Sequence, residues 1–370
     1  MKIFKKIHLW LSVPFGIVIS IICLTGGIMV FRSEIEELTH PSLYHAEYTG
    51  SDPLPLDSLV SLMSAHYEHP VSVRDVSISN NRNKAYKIRL GAPEKTTIYV
   101  DQYSGKINGE YERCQFFSTM FRLHRWLLGS RPEEGIFWGK MIIGVSTIAF
   151  ALILISGLVI WWPKNLQKLK KRLSISCTKG AGRFFHDLHV SAGFYFTIIL
   201  LASALTGLTW SFTWYKDAFY GILSPATQKT EKAPQKSGVK KGKTVARYEN
   251  WEKALQTVKT ENPGFYRISA YNGTIDLDRS SWGSTRDIDT YSFDNATGEI
   301  TDIAYYKDMD RDRKVRGWVY TLHVGAWGGI FGKTVTLLAM LIGASLPFTG
   351  YYLWIKKIIT KKGKKHHKDK

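Results

Sequence analysis

Histidines stand at or near the ends of the most apolar stretches of this chain. His8 precedes the first and His124 lies upstream of the second. His189 opens the third, with His186 one turn before it, and His323 opens the helix that leads into the fourth. An imidazole in or near a membrane is costly unless its nitrogens have partners. One histidine tied to each apolar stretch therefore reads as a set of metal ligands, and a haem held between helices fits that set best. The chemistry expected of it is electron transfer.

The elements that must position these residues are membrane spans. The apolar runs are 9–31, 136–162, 188–214 and roughly 334–354. Each is about as long as a helix that crosses a bilayer. Lys2, Lys5 and Lys6 precede the first run, which has no Ala-x-Ala-like cleavage site and reads as a retained span. The N-terminus, residues 163–185 and the tail from 356 onward are rich in Lys and Arg and nearly free of acids. The positive-inside rule places them in the cytoplasm. Residues 32–135 and 215–333 then face outward, giving a four-span protein with both termini inside. Trp161, Trp162, Trp210, Trp214 and Trp354 sit where interfacial aromatics belong.

The 370 residues carry a formal charge of +19. Such an excess could suggest nucleic acid, but its placement beside the apolar runs points to membrane lipid instead, and no nucleic acid is expected as a partner. A mean hydropathy of −0.14 means that much of the chain lies outside lipid. Cys23, Cys114 and Cys177 form no close pair, and Cys23 lies inside a span, so no disulfide framework is expected. The sequence has no Walker A, Rossmann or HExxH motif, and nothing points to NADPH or flavin bound by the chain itself.

The outward segments read as soluble and small. In the first, residues 54–67 form an amphipathic helix, and 73–80, 85–91 and 96–107 form strands ending in a turn. In the second, 249–260 is again a helix, and 265–272, 273–279 and 289–300 are again strands. Residues 224–244, rich in Pro, Lys and Gly, read as a mobile loop.

The halves repeat. DQYSGKI at 101–107 matches DNATGEI at 294–300, CLTG at 23–26 matches ALTG at 204–207, and ISG at 155–157 matches FTG at 348–350. His8 and His189 each precede their glycine, Gly26 or Gly207, by 18 residues. LHRW at 123–126 corresponds to LHVG at 322–325. The order of span, outer domain and span occurs twice, so the repeats run parallel about an axis along the membrane normal. His8 and His189 then become equivalent near the cytoplasmic face, and His124 and His323 near the outer face. Each pair could meet across the axis as the two axial ligands of a b-type haem. Two haem b groups (iron protoporphyrin IX), each bis-histidine ligated, would form a path across the bilayer. If the pairs sat at opposite faces, the irons would approach the roughly 30 Å thickness of the hydrocarbon core, and direct transfer would be slow.

Each assignment has a plainer rival. His8 could be an interfacial residue beside Trp10. His186 could be the ligand in place of His189, a propionate partner or a solvated residue, and the repeat register favours His189. Asp187 could orient a ring nitrogen. His124 and His323 could cap or pack at the outer boundary, and the LHRWLLG stretch could lie along the surface. Arg122, Arg125 and Arg316 could pair with haem propionates or simply be exposed charge. Gly16, Gly26, Gly27, Gly144, Gly157, Gly193 and Gly207 would let helices or a porphyrin approach, although glycines are common in spans. His40, His45, His66 and His69 are too loosely spaced to make a strong case for a metal site. His366 and His367 read as tail polarity or an expression remnant.

The chain resembles the PepSY-associated transmembrane protein family, which includes iron-regulated inner-membrane proteins and siderophore reductases. The resemblance rests on HLWLSVPFGIVISIICLTG (8–26), LHRWLL (123–128), HDLHVSAGFYFTIILLASALTG (186–207) and LPFTGYYLW (346–354), and covers nearly the whole chain. The segments ending in DQYSGKI and DNATGEI look like PepSY domains. His8 is followed by Leu-Trp and His189 by Val-Ser, where the family more often has Arg-Trp and Arg-Val, a departure that bears on neighbouring haem contacts and not on the histidines.

The resemblance implies an α-helical membrane protein, a four-span core from a tandem duplication with two small α+β PepSY-like periplasmic domains. The parts are then 1–31 with span 1, 32–120 (first periplasmic domain), 121–162 (outer helix and span 2), 163–185 (cytoplasmic loop), 186–214 (span 3), 215–315 (second periplasmic domain), 316–355 (outer helix and span 4) and 356–370 (basic tail). It further implies a haem-dependent ferric siderophore reductase of the bacterial inner membrane, with His8, His124, His189 and His323 as ligands and His186 as an extra member. A ferric siderophore or other ferric chelate would be the periplasmic partner, reduced to release Fe(II). The electron donor would be a quinol or a cytoplasmic flavin reductase. Residues around Trp282, Arg286, Trp318 and Trp327 could line the dock. The rival readings are a PepSY-type scaffold or protease regulator without a cofactor, a transporter, and a haem protein of a quinol or cytochrome chain. The spans hold no Asp, Glu, Lys or Arg well inside their apolar runs, which disfavours ion-coupled transport.

Overall fold

The computed structural model describes residues 1–163, 167, 169–224 and 248–366. The loop expected at 224–244 lies outside the described residues except for Ser224, as do the His366 side chain and His367. The helices are α1 (Lys2–Val30), α2 (Arg32–Thr39), α3 (Pro41–Tyr44), α4 (Leu56–His66), α5 (Gln115–Trp126), α6 (Trp138–Trp161), α7 (Leu169–Leu173), α8 (Ala181–Asp187), α9 (Gly193–Ser211), α10 (Thr213–Leu223), α11 (Tyr248–Glu261), α12 (Arg311–Val324) and α13 (Gly329–His366). The strands are β1 (Val73–Ser79), β2 (Tyr86–Leu90), β3 (Thr97–Val100), β4 (Ile107–Glu110), β5 (Arg267–Tyr271), β6 (Thr274–Asp278), β7 (Ile288–Phe293) and β8 (Ile300–Ala304). They fall into two compact units. A helical unit takes Met1–Arg32, Gln115–Phe219 and Leu322–Lys370, and a sheet unit takes Ser33–Cys114 and Tyr220–Thr321.

Four helices of the helical unit are long and apolar enough to cross a membrane: Lys2–Val30, Trp138–Trp161, Ala181–Ser211 and Gly329–Thr360. From His8 to Phe31 no side chain is acidic, Lys or Arg, so in lipid the backbone must satisfy its own hydrogen bonds and a helix results. α1 buries Gly16, Ile19, Ser20, Cys23, Thr25 and Gly27, a stripe made mostly of small residues, which lets neighbouring backbones come close. A methyl group at Gly16 would collide with the Tyr351 hydroxyl, which donates to the Val13 carbonyl of α1 at 2.8 Å. A methyl at Gly343 of α13 would press on Leu200 and Cys23. The opposite faces carry exposed Ile17, Leu152, Ile198, Leu341 and Phe348, an outward apolar surface suited to lipid.

The third of these helices is not uniform. A π turn, Leu188–Ala192, joins α8 to α9. α5 ends abruptly: Leu127 and Leu128 follow it with φ of 48° and 66°, a conformation that side chains with a Cβ rarely adopt. The Arg122 guanidinium donates to the Leu128 carbonyl at 3.0 Å and ties that end down.

The sheet unit differs from the pair of small domains expected. Among the described residues, eight strands form one antiparallel sheet in the order β4-β3-β2-β1-β5-β6-β7-β8. β1 and β5 pair at its centre, with Ser77 opposite Ser269. Each would otherwise be an open edge of a four-stranded meander, and pairing removes both edges. Alternate residues Val76, Ile78, Ile88, Ile268 and Ile275 enter one core with Leu59 and Met63 of α4 and Trp251 and Leu255 of α11. The turns at 101–107 and 294–300 close alike. Gly105 and Gly298 have φ of 74° and 70°, and their N–H groups donate to the Asp101 and Asp294 carbonyls at 2.8 and 2.7 Å. Glycine is the residue that takes this left-handed position without steric cost.

Candidate cofactor site

Two pairs of histidines face each other inside the helical unit. The His8 ring on α1 and the His189 ring on the π turn have centroids 6.2 Å apart. The His124 ring on α5 and the His323 ring on α12 are likewise 6.2 Å apart. A metal ion bonds an imidazole nitrogen at about 2 Å, so an ion between two such rings sets the centroids roughly 6 Å apart.

Each ring is held in the same way. The His8 Nδ1 lies 3.1 Å from the Ile153 carbonyl and 3.2 Å from the Ser156 hydroxyl of α6. The His189 Nδ1 lies 3.0 Å from the Thr349 hydroxyl of α13, and the Leu346 carbonyl also faces it. The His124 Nδ1 lies 2.9 Å from the Ile22 carbonyl and 3.3 Å from the Thr25 hydroxyl of α1. The His323 Nδ1 lies 3.0 Å from the Ser203 carbonyl and 3.3 Å from the Thr206 hydroxyl of α9. A carbonyl can only accept, so Nδ1 carries the proton and Nε2 is left as the free lone pair. This is the arrangement that second-shell acceptors give to a ligating histidine.

A glycine follows every one of these hydroxyl residues. A Cβ at Gly157, Gly350, Gly26 or Gly207 would stand only 3.2, 3.3, 3.1 or 3.0 Å from the Cε1 of His8, His189, His124 or His323. Thus Ser156-Gly157, Thr349-Gly350, Thr25-Gly26 and Thr206-Gly207 are four like clamps. A helix presents the carbonyl at i−3 and the hydroxyl at i to the ring, and the missing side chain at i+1 makes room for it.

The paired imidazoles fit the two nitrogen donors that a haem would take from the chain. Two imidazoles would hold an iron whose cofactor supplies its remaining ligands, as haem does. With Nδ1–H donating and Nε2 unprotonated, each ring would be neutral, the form that ligates.

Among the described residues, no hydrogen bond or ring contact ties His186 to either pair. Its Nδ1 bonds the Asp187 carboxylate at 3.1 Å, and its side chain is 51% exposed. Asp187 is buried and also accepts from Arg183 Nε at 2.7 Å and the Ser176 N–H at 3.2 Å, so it orients His186 and not His189. In an unbroken α-helix residues three apart share a face; the wider π turn changes that angle. Arg125 is half-buried and lies over the Phe121 and Trp126 rings. Arg122 bonds the Leu128 carbonyl. Arg316 belongs to the sheet unit, where it bonds Asp312 at 2.7 Å and stacks on Tyr220.

The other flagged residues are dispersed. His40 bonds Thr39, His45 stands 4.0 Å from Glu37, His69 bonds Glu94 at 2.8 Å, and His66 packs on Tyr67. Trp282 and Trp318 are exposed in the sheet unit, where Arg286 lies over Tyr320. Trp327 packs on Phe331 in the helical unit. All three cysteines are free, Cys23 buried and Cys177 exposed.

A family model described as the PepSY-associated TM region matches residues 5–357. The chain belongs to this family. It is a multi-pass membrane protein, by its four apolar helices and by the PepSY-associated TM match. A search of curated proteins finds no match. The PepSY-associated TM match spans all four histidines and all four clamps. Sequence reading found the histidines and, in CLTG, ALTG, ISG and FTG, the clamp residues as repeat markers. It missed what the hydroxyls do, because only the fold shows which ring each helix receives.

Proposed function

We propose that this protein is a di-haem oxidoreductase of the bacterial inner membrane. It passes electrons outward to a periplasmic ferric chelate, such as a ferric siderophore, and releases Fe(II) for uptake. One observation carries the reading: two pairs of imidazoles, each with Nδ1 occupied and the rings 6.2 Å apart. The recurrence of one clamp on α1, α6, α9 and α13 supports a tandem duplication and a common job for both pairs. The Lys and Arg bias supports termini in the cytoplasm and the PepSY-like sheet unit in the periplasm.

Bound haem would supply one-electron chemistry at iron closed to further ligands. The chain would hold and insulate it. His8 and His189 hold the cytoplasmic-side site, and His124 and His323 the periplasmic-side site. Half-buried Arg125 supplies charge for a propionate. His8 and Ile22, whose carbonyl holds His124, are 14 residues apart on α1, about 21 Å of helix axis. That spacing keeps both pairs within the roughly 30 Å core. Buried Ile19, Cys23 and Leu200 fill the helical core and keep it dry. The donor is a quinol or a cytoplasmic flavin reductase. Fe(III) bound by hard oxygens is the substrate, and its reduction weakens the chelate.

A pyridine haemochrome assay on detergent-purified protein tests the proposal, and two haems b per chain is the expected result. A chain without haem after haem-replete expression would sink it and favour a PepSY-type scaffold or regulator.

A further inference from the structure

The four clamps share one plan but differ in how close the hydroxyl stands. Around His8, His124 and His323 a backbone carbonyl is the nearer acceptor, at 3.1, 2.9 and 3.0 Å, and the hydroxyl is the farther, at 3.2 or 3.3 Å. At His189 the hydroxyl is the closest of the four, with the Thr349 oxygen 3.0 Å from Nδ1, and the Leu346 carbonyl also engages the ring. Thr349 spends its own proton inside α13, donating to the Leu346 carbonyl at 2.9 Å or the Ser345 carbonyl at 3.2 Å. Its oxygen is therefore fixed as an acceptor towards His189.

We infer that Thr349 is a positioning residue that sets the electron affinity of the His8–His189 site, whereas Thr206 has no such role at the His124–His323 site. The inference rests on the haem reading above. An acceptor on Nδ1–H makes the imidazole a stronger donor to the metal, which favours the ferric state. Removing a backbone carbonyl is beyond side-chain substitution, so every ring keeps a carbonyl acceptor in a hydroxyl variant. His189 loses the closest of the four hydroxyl contacts. The π turn that carries His189 is where regular helix geometry gives way, and such turns recur at functional sites.

The experiment uses full-length protein in detergent. Haem content is measured first, and then a potentiometric titration is followed in the α band for wild type, Thr349→Val, Thr349→Ser, Thr349→Ala and Thr206→Val. The expected result is an unchanged haem content and one of two waves moved upward in Thr349→Val and Thr349→Ala. The shift corresponds to roughly a fivefold change in the reduction equilibrium, about 40 mV at 59 mV per tenfold for one electron. Thr349→Ser restores the wild-type wave, and Thr206→Val moves neither. Unmoved waves in haem-replete Thr349→Val and Thr349→Ala overturn the inference and leave the haem reading intact. A Thr206→Val shift of equal size overturns the inequality of the clamps. Loss of haem from Thr349→Val and Thr349→Ala would make the hydroxyl a requirement for occupancy and overturn its tuning role. A wild type without haem overturns the inference together with the reading it rests on.

Discussion

Histidine at a membrane depth is informative because its two nitrogens must both be accounted for. Here the Nδ1 atoms are satisfied by carbonyls and hydroxyls, and the Nε2 atoms are left to bind. His189→Ala or His323→Ala should lower haem from two to about one per chain, read by haemochrome, because the pair concerned would lose one of the two histidines proposed to hold its haem. His186→Ala should keep both haems, since that ring is engaged with Asp187. The glycines make a second prediction at this scale. Gly207→Ala would place a Cβ 3.0 Å from the His323 Cε1. We expect it to lower thermal stability by about 1–3 kcal/mol, as overpacking does, and to weaken haem retention at that site. A variant with wild-type melting and full haem would contradict the clamp. The histidines were legible because ionisable side chains beside apolar runs stand out. The hydroxyls were not, because Thr and Ser also bond their own helix, as Thr25 does to Ile21 at 2.6 Å.

At the scale of elements, the spans and most strands were legible from period and length. The apolar run at 136–162 coincides with α6, and the expected strand at 73–80 coincides with β1 to within a residue. What escaped is what depends on partners distant in sequence. β4 and β8 are short, and each has only one neighbour in the sheet. The π turn leaves no trace in an apolar stretch. The central pairing of β1 with β5 joins residues nearly two hundred positions apart, and no local signal reports it. α11 offers a test of the sheet core. Trp251 is fully buried among Leu255, Ile268 and Phe293, so Trp251→Ala should cost about 3–5 kcal/mol. Chemical denaturation of the intact protein, followed by fluorescence, would measure it. A loss below about 1 kcal/mol would mean that α11 does not anchor the sheet.

For the whole molecule, the decisive issue is how the chain lies in the membrane. Its three free cysteines are built-in reporters. Cys114 belongs to the sheet unit and Cys177 to the segment between two spans. With the termini inside, a membrane-impermeant maleimide on intact spheroplasts should label Cys114 and spare Cys177 until the membrane is opened. Buried Cys23 should stay unlabelled in folded protein. The reverse pattern would invert the proposed direction of electron flow. At this scale the four spans were readable, because four apolar runs of bilayer length stand out and appear as four long apolar helices.

The central claim is that both histidine pairs hold haem, and a pyridine haemochrome assay normalised to protein concentration tests it most directly. The account predicts close to two haems b per chain, falling to about one in His323→Ala. No haem in wild-type protein from haem-replete cells would contradict it.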